Sequence, residues 1–213
     1  MSRFQQGGFQ SIPPVIKNLL IANVLVWLAQ IIFFYQGRPL EIYGALQNLD
    51  SGNFKAWQLI TYMFMHADVD RTGIVFSHIL FNMFTLWMFG SILENVWGGK
   101  RFLTFYMICG ILAGVAQLLL QRDFSYAVGA SGAIMGVMAA FVYLFPNTEL
   151  YVMFIPIPVK AKYVIPFFML IDIFGAFAPK DGDNVAHWAH LGGAVAGLLL
   201  VIFWNKKNRS NFY

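Results

Sequence analysis

Charge is what this 213-residue sequence has least of: Asp, Glu, Lys and Arg together make up 11% of it, against about 25% in an ordinary soluble domain. Apolar residues fill 59%. That balance argues against a soluble globular enzyme and against a disordered regulator. It also argues against a nucleic-acid binder, because the 14 basic residues are scattered rather than gathered into a phosphate-binding patch. Cysteine is nearly absent. The single Cys109 excludes an internal disulfide framework and any multi-cysteine metal site, and in its apolar run it reads as a small buried hydrophobe. Strand-like alternation is missing from the apolar runs, which excludes a membrane β-barrel. No internal repeat is evident. Residues 1–15 are polar and aromatic, and the first apolar run lacks a small-residue cleavage site, so it is expected to be a retained span rather than a signal peptide. The class that remains is an all-α, multi-span membrane protein.

Crossing a hydrocarbon core takes about 20 helical residues. Six runs qualify as spans: Leu19–Tyr35, Ile74–Val96, Phe102–Leu120, Ala127–Phe145, Val164–Phe177 and Val185–Trp204. The fifth is short. An earlier start among Tyr151–Val159 would meet Pro156, Pro158 and Pro166, and Lys160 and Lys162 mark contact with water. The expected organisation is a tail at 1–16, a six-span domain at 17–204 and a second tail at 205–213. The first outside loop covers about 36–73. A connection of that length needs structure of its own, and its aromatic and apolar residues, Phe54, Trp57, Ile60, Tyr62 and Phe64 among them, suggest short helices lying in the interface.

Loop charge sets orientation. With the N-terminus inside, the inner loops and tails hold Arg3, Lys17, Lys100, Arg101, Lys160, Lys162, Lys206, Lys207 and Arg209 against Glu94 and Glu149. The outer set is Arg38, Lys55, Arg71, Arg122 and Lys180, facing Glu41, Asp50, Asp68, Asp70, Asp123, Asp181 and Asp183. This places both termini in the cytoplasm. The one remaining acid, Asp172, falls inside a span.

Polar residues within spans are costly and mark function by default. Here they are His78 and Asn82 in the second span, Ser131 in the fourth, Asp172 in the fifth, and His187 and His190 in the sixth. His78, Ser131 and His190 each lie four or five residues in from the outer end of their spans, roughly 6–8 Å deep at 1.5 Å per residue. His78 and Asn82 share a helix face. Gly132 to Gly136 and Gly193 to Gly197 form G-x-x-x-G stripes that let helices approach closely. Contact between those stripes would bring Ser131 to His190. An imidazole bonded to a serine hydroxyl can take its proton and return it to a leaving amine. Donors at the developing oxyanion, here the Asn82 amide, a His78 N–H and the Ser131 backbone N–H, complete an acyl-transfer site.

At these residues the sequence resembles the rhomboid family of intramembrane serine proteases. Gly129-Ala130-Ser131-Gly132 is similar to the family's G-x-S-G motif. His190-Leu191-Gly192-Gly193, extended to Gly197, is similar to H-x-x-G-x-x-x-G, and His78-Ile79-Leu80-Phe81-Asn82 to H-x-x-x-N. The resemblance covers about 17–204. It implies a catalytic dyad without an acid, with Ser131 as nucleophile and His190 as general base and acid, and His78 and Asn82 at the oxyanion site. It implies no cofactor, a water-filled cavity open to the outside, and sideways entry near the fifth span. The implied substrates are single-span membrane proteins within the lipid bilayer, cut near the outer end of the span. A bacterial inner membrane, with the site on the extracytoplasmic side, is the expected location.

Two residues depart from the family pattern. Gln58 follows Trp57 where an arginine is typical, which puts a loop-anchoring ion pair with an acid such as Glu94 in doubt. Met135 stands where some relatives carry an aromatic that packs on the histidine. The segment His66–Phe76 has no account from sequence. His187 competes with His190 as the base, and the glycine spacing selects His190. Asp172 invites a Ser-His-Asp triad, or serves as a structural or cavity-facing acid. Other readings are an inactive rhomboid-like binder, a zinc site on His78, His187 and His190, and a transporter. The zinc reading lacks an H-E-x-x-H, and the transporter lacks a repeat.

Overall fold

The computed structural model describes residues 11–67, 69–70, 73–121, 125–151, 157–177 and 185–207. Arg3, Asp68, Arg71, Arg122, Asp123, Lys180, Asp181, Asp183 and Arg209, and the side chains of Asp70 and Lys207, lie outside the described residues. The chain is mostly helical. Its long helices are α1 (Pro14–Tyr35), α2 (Ser77–Trp97), α3 (Gly99–Leu120), α4 (Ser131–Leu144), α5 (Ala161–Phe177) and α6 (His187–Lys207). By length and composition α1, α2, α3 and α6 can each cross a membrane, and the protein is an integral membrane protein. Helix α4 has 14 residues and α5 has 17.

The inside-out distribution of polarity follows from that setting. Ile21, Leu25, Leu80, Phe84, Leu199 and Phe203 face outward, while Asn23, Gln30, Gln58, Asn82, Glu94 and Gln117 are buried. In hydrocarbon a polar group must find its partner inside the bundle. Helix α1 shows how. Pro14 suits its first turn, and the unpaired Val15 and Ile16 N–H groups donate to Glu94 Oε1 and Oε2 at 2.9 and 2.8 Å. Glu94 therefore caps α1 and is not the loop anchor considered above. Helix α2 carries a π-helical turn over Leu86–Gly90.

The core gathers where α4 lies against α3 and α6. Small residues make this possible. A Cβ on Gly132 would meet Ala113, one on Gly193 would overlap the Gly132 backbone, and one on Gly197 would overlap that of Gly136. The two G-x-x-x-G stripes thus interlock, as expected.

The first loop holds short helical turns at Glu41–Gly44, Leu49–Ser51, Gln58–Thr61 and Tyr62–Phe64. It is not uniformly peripheral. Trp57 and Ile60 are exposed, whereas Tyr62, Met63 and Met65 are buried in the bundle. Met63 fits against Gly110, and the Tyr62 hydroxyl donates to the Gly110 carbonyl at 2.6 Å. Burial pushes the Tyr62 pKa above its usual range, so it remains a donor. Gln58 is fully buried and organises the loop itself. Its Oε1 accepts from Gln47 N and Lys55 N, and its Nε2 donates to the Tyr43 and Asn53 carbonyls.

Three helices start later than the apolar runs imply. Ile74 pairs with Val69 in a two-residue ladder, so α2 begins at Ser77. Ala127 pairs with Leu46, so α4 begins at Ser131. Helix α6 begins at His187 rather than Val185. Helix α5 starts earlier than expected, at Ala161, after Val159–Lys160 pairs with Glu149–Leu150, and it keeps Pro166 in its interior.

Candidate active site

A cavity of about 960 Å³ opens among these helix starts, lined by His66, His78, Asn82, Ser131, Met135 and His190 with others. Ser131 is the first residue of α4, His78 the second of α2 and His190 the fourth of α6. The three share one end of the bundle, as the sequence implies. They lie in the first turn of their helices rather than a turn further in.

Ser131 Oγ and His190 Nε2 are 2.7 Å apart. Two supports hold the histidine's helix. The glycine stripe sets the distance between α4 and α6. Buried Gln117 of α3 accepts from the Ala189 N–H through Oε1 at 3.1 Å, capping α6 one residue before His190. The serine approaches through Gly129, whose φ of 129° favours glycine and whose N–H donates to the Tyr62 carbonyl at 2.9 Å. A Cβ on Gly129 would lie 3.0 Å from His78 Nε2 and 3.5 Å from Ser131 Oγ. Glycine thus leaves open the space between those two groups.

His78 Nδ1 accepts the Ala67 N–H at 3.0 Å. The neutral ring then carries its proton on Nε2, a donor directed toward the gap beside Ser131. Asn82 lines the same cavity, but its Nδ2 donates to the His78 carbonyl at 2.8 Å, leaving one N–H for another partner.

Two features exceed the sequence reading. Asp172 Oδ1 is 2.8 Å from His190 Nδ1 and 2.8 Å from His187 Nδ1. The acid reaches the Nδ1 side of His190, away from Ser131, and His187 shares the same oxygen. The donor atoms of Asp172, His187 and His190 lie within 4.8 Å of one another, so this set could hold a metal ion. The cluster includes Asp172 where the zinc reading placed His78.

His66, unassigned from sequence, is fully buried with its ring centroid 5.2 Å from that of His78. The Gln30 side chain bonds both its N–H and its carbonyl, each at 2.9 Å. Burial, with His78 beside it, holds the His66 imidazole down at about 3, and the Phe64 carbonyl offsets only part of this. Its ring is neutral at pH 7.

These features define a helical membrane protein with a serine–histidine pair in a cavity at one end of the bundle. The rhomboid domain model matches residues 53–207, and the chain belongs to the rhomboid family. It is 28% identical over 188 residues to Rhomboid protein 1, mitochondrial, of Saccharomyces cerevisiae, covering 78% of this chain and 54% of that protein. It is 30% identical over 170 residues to Rhomboid-like protease 3 of Toxoplasma gondii, covering 80% of this chain and 60% of that one. With Putative rhomboid protease YdcA of Bacillus subtilis it shares 26% over 204 residues, covering 93% and 92%. Against the first two, the chain spans a little over half of the relative's length. The relatives' names include mitochondrial and bacterial proteins, so membership by itself does not choose the membrane.

Proposed function

We propose that this chain is an intramembrane serine endopeptidase that cuts the transmembrane segments of membrane proteins near their outer ends. The observation that carries the reading is the 2.7 Å approach of Ser131 Oγ to His190 Nε2 inside a cavity. Ser131 attacks the scissile carbonyl while Nε2 takes its proton. The His78 Nε2–H, the free Asn82 N–H and the Ser131 N–H, at a helix start, offer donors to the oxyanion. His190 then gives the proton to the leaving amine, and water releases the acyl group by the same proton path in reverse.

We read α1 to α6 as six spans with both termini in the cytoplasm. Lys17, Lys100, Arg101, Lys160, Lys162 and Lys206 fall at the helix ends opposite the site in that topology. With 14 residues, α4 is about 21 Å long at 1.5 Å per residue, short of a core of about 30 Å. Its first residue, Ser131, then lies beneath the outer boundary when its last turn reaches the inner one. This supports cleavage within the membrane, at a site facing the extracytoplasmic side; the loop charges fit a bacterial inner membrane.

The test is labelling of the purified protein by a serine-reactive fluorophosphonate, wild type beside Ser131→Ala and His190→Ala, with all three shown to be folded. Label on the wild type alone supports the reading. A folded wild type that takes no label and leaves a model transmembrane substrate intact overturns it, in favour of a rhomboid-like binder.

A further inference from the structure

We propose that Asp172 is a positioning residue for His190. It holds the imidazole in the form protonated on Nδ1, which leaves Nε2 free to accept the Ser131 proton. The proposal rests on the serine-protease reading and deepens it, because the motifs alone imply a dyad without an acid.

The argument starts from donor and acceptor inventory. An ionised carboxylate only accepts. With Oδ1 at 2.8 Å from Nδ1 of both His187 and His190, both Nδ1 atoms carry protons. The neutral His190 ring then has its lone pair at Nε2, where Ser131 Oγ stands at 2.7 Å. The chain of bonds runs from the Ser131 hydroxyl to His190 Nε2, and from His190 Nδ1–H to Asp172 Oδ1. Its members come from α4, α6 and α5. Asp172 is the only acidic residue in these three helices.

A lone acid in a membrane helix needs partners for its own sake, so the bond alone does not establish the role. The second observation is Gly175. It follows Asp172 by three residues, on the same face of α5. A Cβ there would overlap the His187 ring. Helix α5 is thus recessed where the first turn of α6 meets it, and His187 seats beside the carboxylate. The side chains of Asp172, His187 and His190 are only 13–14% exposed, which protects the bonds from exchange with water. In the catalytic cycle Asp172 takes no proton. The proton passes from Ser131 Oγ to Nε2 and on to the leaving amine, while the carboxylate stabilises the imidazolium between those steps.

The experiment uses the full chain with ¹⁵N-labelled histidine in detergent micelles. Its four histidines are assigned by single substitutions. The ¹⁵N–¹H correlation pattern of His190 reports which nitrogen bears the proton, independently of activity. We expect Nδ1–H in wild type and a mixture with Nε2–H in Asp172→Ala. In Asp172→Ala and in the isosteric Asp172→Asn, kcat on a model transmembrane substrate should fall at least about tenfold with KM within about twofold. Asp172→Glu should recover part of the loss. An unchanged His190 pattern together with an unchanged kcat in Asp172→Asn overturns the proposal and leaves the protease reading intact. A wild type inert to fluorophosphonate and to substrate, but with an Asp172-dependent His190 pattern, overturns the protease reading and supports the positioning role.

Discussion

Gly193 of α6 lies directly on the backbone of Gly132 in α4, so closely that a Cβ at Gly193 would overlap the Gly132 carbonyl. At this contact no side chain separates the helix that carries His190 from the helix that carries Ser131. Gly193→Ala must push the two apart. Overpacking of this kind costs about 1–3 kcal/mol, and a displacement of about 1 Å between reacting groups can cost about a hundredfold in rate. Fluorophosphonate labelling of Gly193→Ala should slow at least about tenfold, with a lower Tm in detergent. Labelling at the wild-type rate would show that the stripe does not set the serine–histidine distance.

Oxyanion donors are expected to share their load unequally. His78 has its Nε2–H directed into the gap that Gly129 leaves open, whereas Asn82 spends one amide N–H on the His78 carbonyl. Asn82→Ala should lower kcat by roughly ten- to a hundredfold without ending cleavage, the lower part of the range for a lost donor and below. Steady-state kinetics on a model transmembrane substrate would measure it, and an unchanged kcat removes Asn82 from this role.

Stability should fall with acid through His66. Its pKa is about 3 in the fold against an ordinary 6.5, so between those values the unfolded chain binds the extra proton. The neutral ring's full contribution is present above about pH 6.5 and is lost as pH falls below it, by up to about 1.4 kcal/mol per pH unit. Unfolding in detergent at pH 7, 6 and 5 should show that slope. His66→Phe should flatten it by one proton's worth, and equal slopes in both proteins would contradict the burial argument.

Glu94 offers a contrast between stability and chemistry. Its two carboxylate oxygens accept from Val15 and Ile16 at the start of α1, and Glu94 stands near the end of α2 whereas the cavity residue His78 is near its start. Glu94→Ala leaves both N–H groups without that acceptor, at a cost of about 2–3 kcal/mol. Thermal unfolding should report the loss, while kcat of the folded fraction stays near that of wild type. A loss of kcat with no change in Tm would count against a capping role.

Much of the site was legible before the fold. Ser131, His190, His78 and Asn82 announce themselves because a polar side chain in an apolar run needs a reason, and the glycine stripes say which helices meet. Helix starts were harder. Ala127 and Ile74 are apolar and extend their runs on paper, yet each is drawn into a short ladder by a partner, Leu46 or Val69, that hydropathy does not register. Asp172 could be listed but not placed, since its partners depend on how α5 is rotated against α6. His66 was invisible for the opposite reason. It sits in a loop rather than a span, and nothing local predicts that Gln30, 36 residues earlier, would draw its backbone into the core.

The glycine contact between α4 and α6 also bears on what change the protein can absorb. Where two main chains touch, there is no rotamer to readjust, and the surrounding lipid cannot enter to repack the seam. The spacing of Ser131 and His190 is then inherited from backbone geometry. The outward-facing Leu, Ile and Phe can be exchanged for other apolar residues, to suit a thicker or thinner bilayer, without retuning the chemistry.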